Sequence, residues 1–427
     1  MAGSTVICAG AGRWQGEAAM ATTMICRSCG HAGLESVLDL GRTALADRLL
    51  TAEQLGEPEP QYPLVVVFCP QCSLLQILET VPPEVLFCED YPYYSSFSDA
   101  LLRHSRDNAL DLIARRELGP GSLAVELASN DGYLLKNYVE VGIPVLGIDP
   151  AEGPARAAAT IGVPTLNTFF TAELAQQLAG EGRRADVIHA NNVLAHVADT
   201  NGFVSGIATL LKDSGVAVIE VPYVKDLIEH REFDTIYHEH LCYFSATALD
   251  RLFRSHGLFL NEVKRLPIHG GSLRLYVEKV ERVGDSVKRL LRLEVDDRVD
   301  RIDFYRDFAR RVQQLRTDLR ALLGALRAQG KRIAAYGAAA KGATLINYVG
   351  IGPELIDFVV DRNVHKQGKY MPGQHIPILG PGKLLEAQPE YVLLLAWNFA
   401  AEIMDQQAEY AQRGGRFIIP VPEPKVV

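Results

Sequence analysis

The stretch Thr235-Ile236-Tyr237-His238-Glu239-His240-Leu241-Cys242-Tyr243-Phe244-Ser245 packs two imidazoles, a carboxyl and two phenols into a few residues. An imidazole titrates near pH ~6.5, which suits proton abstraction at neutral pH, and a neighbouring carboxylate can orient it. Tyr237 can stabilise an oxyanion that develops as the proton leaves. His240 and His238, with Glu239 and Tyr237, are therefore candidate acid–base groups. His-x-His with an interposed Glu could instead bind a metal, but no third ligand cluster accompanies it and the His-Glu-x-x-His pattern of zinc hydrolases is absent. A packed or solvated loop is the competing reading.

Sulfur supplies the second set. Cys26-Arg27-Ser28-Cys29 and Cys69-Pro70-Gln71-Cys72 are two Cys-x-x-Cys knuckles, and together they offer the four thiolates of a tetrahedral zinc site. The insertion between them is longer than in the usual zinc ribbon; unrelated thiols or a redox pair are the alternative. Four protein ligands leave no open coordination position, so the metal would fold the domain rather than catalyse. Cys8, Cys88 and Cys242 remain as lone thiols.

The third set lies at strand ends. Leu123-Ala124-Val125-Glu126-Leu127-Ala128-Ser129-Asn130-Asp131-Gly132-Tyr133-Leu134-Leu135 reads as a strand, a tight turn and a helix. Unpaired backbone N–H groups at such a turn can hold an adenosine-bearing ligand. Glu126, Ser129, Asn130, Asp131 and Gly132 are candidate contacts, the glycine allowing close backbone approach. Asp149 ends the next apolar run, about 20 residues on, where a ribose-binding carboxylate is expected. Ala128, Ser129 and Asn130 stand where a nicotinamide site would want its first glycines, which weakens a dehydrogenase reading. An ordinary turn with a solvated acid is the alternative. The strand from Ala185 ends on Asn191 and Asn192, further cofactor candidates, and His196 follows as a substrate candidate. Tyr91 and Tyr94 belong to a patch of aromatics and hydroxyls that could be a ligand-facing lid or simple packing.

These groups need elements to place them. From Leu123 strands alternate with helices in the way that builds a doubly wound parallel sheet, and Thr235–Ser245 follows the strand ending at Tyr223, so it should lie over the carboxyl edge. Phe259–Val263 and Ser272–Glu278, joined without a helix, can form an antiparallel edge. Residues 285–329 are charged, with apolar residues at helical spacing, and read as long helices bridging domains. Arg332–Thr344 begins a second nucleotide-type half-fold, in which Lys341 could hold a phosphate or be a solvated lysine on a degenerate Rossmann unit. The expected class is α/β: an extension (1–23, disordered), a small zinc-binding domain (24–83), a central doubly wound Rossmann-like domain (84–282), a helical bridge (283–330) and a C-terminal Rossmann-like domain (331–427).

A chain of 427 residues is too long for one core, in keeping with several domains. A net charge of −9 argues against a nucleic-acid surface, which depends on Lys and Arg neutralising phosphates. No apolar run approaches the ~20 residues of a membrane span, and residues 1–23 lack a signal-peptide core. An odd number of cysteines, seven, without an export signal fits a reducing, cytoplasmic setting.

Read together, the two knuckles, Tyr91-Pro92-Tyr93-Tyr94-Ser95-Ser96-Phe97-Ser98, Glu126-x-x-Ser129-Asn130-Asp131-Gly132, Tyr237-His238-Glu239-His240-x-x-Tyr243-Phe244-Ser245 and Tyr336-Gly337-Ala338-Ala339-Ala340-Lys341-Gly342 resemble the sugar C-methyltransferases of deoxysugar and antibiotic biosynthesis. The resemblance covers nearly the whole chain from Cys26. It implies a monomeric, S-adenosylmethionine-dependent enzyme with a zinc-binding N-terminal domain, acting on a nucleotide-linked (usually thymidine diphosphate-linked) 4-keto-deoxysugar. By this similarity His240 is the base, with Tyr237 and Glu239 close by, and Tyr91 and Tyr94 border the sugar. Methylation at C3 or C5 stays open, because either carbon flanks the ketone. A small-molecule O- or N-methyltransferase and a non-catalytic zinc-ribbon binding protein are the competing classes.

Overall fold

The computed structural model describes residues 24–87 and 94–427. The 1–23 extension, Cys8, Cys88 and Tyr91 lie outside the described residues. Three sheets organise the rest.

The first is antiparallel, and its strands Glu35–Thr43, Tyr62–Phe68 and Leu75–Ile77 come from the N-terminal segment. Its fourth strand does not. Cys242–Tyr243, from inside the histidine motif, pairs with Leu75 and Gln76. The sequence reading, which ended this unit at residue 83, did not anticipate that strand.

The second sheet has seven strands in the order Phe259–Leu266, Ser272–Glu278, Leu211–Pro222, Ala185–Asn191, Ala124–Leu127, Val145–Ile148, Thr165–Leu166. Its central strands are parallel and the closing pair is antiparallel, as expected from the hairpin without a helix. Ala124–Leu127 and Val145–Ile148 are buried at every position, the pattern of strands covered on both faces. Glycine is required at 147, where a Cβ would meet Ser129 Oγ at 2.5 Å. Ser245 explains the end of the histidine motif: its hydroxyl accepts from Ala248 N (3.0 Å) and caps the helix Ala246–Ser255.

The third sheet runs Ile378–Leu379, Val359–Val360, Ile333–Tyr336, Tyr391–Leu394, Arg416–Ile419, Lys425–Val426, parallel except at its last pair. Between the second and third sheets run two helices, Asp285–Asp296 and Ile302–Ala328. The longer one buries Phe308, Val312, Leu315, Leu319 and Leu323 along one stripe.

Polar contacts fasten the units together. Asn201 Nδ2 donates to the Arg27 and Ser28 carbonyls (2.8 and 3.0 Å), and Arg251 donates to Gln71 O and Ser73 Oγ (3.0 and 2.9 Å), so each knuckle is gripped by the central domain. Leu50 and Tyr370 exchange backbone hydrogen bonds, and Glu59 lies 2.9 Å from His375, joining the N-terminal sheet domain to the C-terminal one. Among the described residues no helix is long and apolar enough to cross a membrane.

Candidate active site

Tyr237 to His240 form a tight turn, closed by His240 N donating to Tyr237 O at 2.9 Å. The turn brings its two end residues together: the Tyr237 and His240 rings lie 4.2 Å apart between centroids. His196 stands edge-on to the same imidazole at 4.8 Å, and Tyr243 borders it at 6.5 Å. Leu241 N donates to Ala195 O (2.8 Å), which ties this turn to the loop after Ala185–Asn191. The cluster therefore sits at the carboxyl edge of the central sheet.

His240 Nδ1 lies 2.8 Å from the Thr235 carbonyl oxygen. A carbonyl can only accept, so Nδ1 carries the proton and the neutral ring has its lone pair on Nε2. The orienting group is thus a backbone oxygen, in the place expected for the Glu239 carboxylate.

The two central residues of the turn go elsewhere. His238 Nε2 lies 3.1 Å from the Pro63 carbonyl, and its ring packs edge-on to Tyr62 at 5.7 Å. The structure places it on the N-terminal sheet, apart from the His240 group, and so corrects its inclusion among the acid–base candidates. Glu239 is buried, and burial, with the Asp47 carboxyl adding to it, pushes its pKa up to about 8. The unfolded chain ionises this group near ~4.3. Folding retains a proton that the unfolded chain gives up, so the stability tied to the neutral carboxyl falls as pH rises between those two values. Glu239→Gln abolishes that dependence. Its Tm relative to the wild-type protein is expected to climb from about pH 5 to about pH 8 and then level off, by calorimetry; a pH-independent difference would show a water-like carboxyl instead.

His196 is driven the other way. Burial first, then the neighbouring His240, lower its pKa to about 3, while hydrogen bonding to the Glu239 and Asn192 backbone opposes the shift. It is a neutral ring at physiological pH.

The cofactor candidates converge on the adjacent turn. Ala128, Asn130 and Gly132 all have positive φ (57°, 48° and 78°), a conformation that non-glycine residues adopt at a cost and that recurs at ligand sites. Asp149 fixes the turn, its Oδ2 accepting from Asn130 N (2.8 Å) and its Oδ1 from Ala151 N (2.9 Å). Asn130 Oδ1 and Asp131 Oδ2 accept in turn from Ser95 N and Ser96 N, which latches the Tyr94–Ser96 segment over it. Tyr94 lies on the Asp149 side: its hydroxyl is 2.7 Å from where a Cβ on Gly153 would stand. Glu126 is fully buried, and neither of its oxygens, nor Ser129 Oγ, Asp131 Oδ1 or Asn191 Oδ1, has a hydrogen-bond partner of ordinary geometry. Burial raises the Glu126 pKa well above the carboxylate range, and the Asp149 and Asp131 charges add to it. Asn192 also has positive φ (53°), with its N–H on Glu220 O at 2.8 Å.

Lys341 stands apart from this turn. Its ammonium is 4.4 Å from the Trp397 ring centroid and 3.3 Å from Asn398 Oδ1. In the half-fold around it Ala338 N donates to Asp361 Oδ2 (2.7 Å), as Asn130 N does to Asp149, and Lys366 Nζ donates to Ala338 O (2.7 Å).

Cys26, Cys29, Cys69 and Cys72 come together, all four Sγ within 4.8 Å of one another. Thr235, Asp47, Asp234 and Trp397 were missed by the sequence reading. Thr235 acts through its backbone and Asp47 and Trp397 come from distant segments, whereas Asp234, directly before the motif in an acidic Glu232-x-Asp234 pattern, offered a local signal.

Comparison with known proteins shows the family. Residues 26–87 match the family model described as "Putative zinc binding domain", residues 101–263 "Methyltransferase domain" and residues 267–422 "C-methyltransferase C-terminal domain". The C-methyltransferase NovU of Streptomyces niveus is 38% identical over 405 residues, 94% of this chain and 96% of that protein. The ubiquinone biosynthesis O-methyltransferase of Bartonella bacilliformis is 29% identical over 100 residues, 23% of this chain and 40% of that one. Among solved structures, magnesium protoporphyrin IX methyltransferase of Synechocystis PCC 6803 with bound SAH is 15% identical, covers 42% of this chain and 83% of its own, and gives a TM-score of 0.34. With its three family domains in order and a full-length relative at 38% identity, the chain belongs to the C-methyltransferase family.

Proposed function

We propose that this methyltransferase moves a methyl group from S-adenosylmethionine to C3, or C5, of a nucleotide-linked 4-keto-deoxysugar, with thymidine diphosphate as the nucleotide, in deoxysugar and antibiotic biosynthesis. The observation that carries the reading is the His240 imidazole, set by the Thr235 carbonyl and flanked by Tyr237 and His196 at the edge of the sheet that bears the Glu126–Asp149 turn.

The residues fit the cofactor. Buried oxygens on Glu126, Ser129, Asp131 and Asn191 that lack a protein hydrogen bond of ordinary geometry are acceptors for a ligand's ammonium and hydroxyl donors, and a cationic ligand relieves the mutual repulsion of the Glu126, Asp131 and Asp149 carboxyls. When bound, S-adenosylmethionine supplies an electrophilic methyl. The ketone acidifies the neighbouring C–H, and Nε2 of His240 takes that proton. Tyr237 and the neutral His196 stabilise the enolate oxygen. The four cysteines would hold zinc with no coordination position open to substrate, so the metal would supply folding rather than chemistry.

Incubation with S-adenosylmethionine and a panel of thymidine diphosphate 4-ketosugars is expected to give a product heavier by one methyl on carbon, assigned by NMR. In D2O without methyl donor, the substrate carbon should exchange its proton. A methyl on oxygen or nitrogen, with no exchange, would favour an O- or N-methyltransferase and overturn the proposal.

A further inference from the structure

Lys341 and its neighbours Trp397 and Asn398 belong to the C-terminal half-fold. They face the turn that precedes the histidine motif. Trp397 Nε1 donates to Asp234 Oδ2 at 2.6 Å, and Asp234 is fully buried in the short helical turn Phe233–Thr235. The next residue, Thr235, supplies the carbonyl that holds His240 Nδ1 at 2.8 Å. Phe233, on the other side of Asp234, packs edge-on against Tyr348 of the C-terminal helix Ala340–Val349, ring centroids 5.3 Å apart. Lys341, on that same helix, lies over the Trp397 ring and is the cation that opposes the burial of Asp234.

We propose that Asp234 and Trp397 are a positioning pair by which the C-terminal domain sets the orientation and tautomer of the His240 base. The inference rests on His240 being that base. A buried carboxylate is costly unless it is hydrogen-bonded and paired, and this one spends its bond on an indole N–H in another domain. That bond acts together with Thr235 N and Oγ1 on the Glu232 carbonyl (3.1 and 2.7 Å) and Ile236 N on the Phe233 carbonyl (3.0 Å) in setting where the Thr235 carbonyl points. Without it the turn shifts, and the proton of the imidazole is less firmly committed to Nδ1. Neither residue touches substrate in this account; both act through Thr235.

Trp397→Phe removes the donor and keeps the ring beneath Lys341. It is expected to lower kcat by about tenfold or more, the size of effect a misplaced catalytic group produces, with S-adenosylmethionine affinity close to wild type and a modest fall in Tm from the Asp234 carboxyl left without its donor. Asp234→Ala should match it, and the double variant should be no worse than either alone. Asp234→Asn, whose amide oxygen can still accept from the indole, should recover much of what Asp234→Ala loses. In 15N-histidine-labelled protein, His240 should be protonated at Nδ1 in the wild type and show both tautomers in Trp397→Phe. An unchanged kcat and tautomer in Trp397→Phe, or a fall in kcat that follows Tm and cofactor affinity, overturns the pair. Because His240→Asn is measured alongside, the failures separate: an inactive His240→Asn with a normal Trp397→Phe removes only the positioning pair, whereas an active His240→Asn removes the base itself.

Discussion

His240→Asn is expected to lower turnover by about two to four orders of magnitude, the range contributed by a positioned general base, while S-adenosylmethionine still binds with near wild-type affinity. The substitution isolates the chemistry. An asparagine amide can donate to the Thr235 carbonyl as Nδ1 does now, at 2.8 Å, so the turn closed by His240 N on Tyr237 O need not open. What is lost is the lone pair on Nε2. The neighbouring imidazole cannot replace it. His196 has its pKa lowered to about 3, which makes it a poor proton acceptor at neutral pH. Calorimetry should give the cofactor affinity, and single-turnover assays with a 4-ketosugar the rate. Exchange of the substrate C–H with D2O should vanish in parallel with methylation. Full activity and undiminished exchange in His240→Asn would take the residue out of the mechanism.

Much of the site was legible because it is local. Glu126, the Ser129–Gly132 turn and Asp149 lie on one strand–turn–helix–strand unit, where hydrophobic runs and their terminal acids fix positions along the sheet. The same rule correctly laid Thr235–Ser245 over the carboxyl edge. It could not separate His238 from His240. The division depends on a turn at Tyr237–His240 that contains no glycine, proline, asparagine or aspartate to announce it. Once the turn closes, its ends meet and its middle points to Pro63 and Tyr62. Long-range pairs were equally silent. The two-residue strand Cys242–Tyr243 is too short to carry a propensity signal, and only the presence of the Leu75–Ile77 edge makes it a strand. The Lys341 segment shows the opposite case, a readable pattern with other partners. Lys341 opens the helix after a Rossmann-type strand, where a phosphate contact is expected, yet its ammonium leans on Trp397.

The second large effect is expected from the cysteine cluster. In Cys29→Ser the zinc content, expected at one equivalent in the wild type by metal analysis, should fall sharply, and soluble, cooperatively folding protein should fall with it. The geometry argues for a closed structural site. Tetrahedral Zn–S bonds of ~2.3 Å put thiolates roughly 3.8 Å apart, and here Cys26 and Cys72 are at 3.4 Å, Cys29 and Cys69 at 3.5 Å, with all four within 4.8 Å. Both knuckles turn alike: Gly30 N and Ser73 N return to the Cys26 and Cys69 carbonyls, and Gly30 and Ser73 both adopt left-handed φ. Structural zinc in small domains is worth about 10–16 kcal/mol in apparent binding energy, comparable with a whole domain's stability. The loss would spread beyond the metal, because Leu74 O accepts from Cys69 N and the adjoining strand Leu75–Ile77 holds Cys242–Tyr243, two residues after the base. Chelation of the wild-type protein should therefore raise hydrogen exchange at Leu241–Tyr243 as well as in the knuckles, whereas His240→Asn should leave both protected. A wild-type protein without zinc, or a Cys29→Ser variant with unchanged Tm and exchange, would show that the cysteines merely cluster.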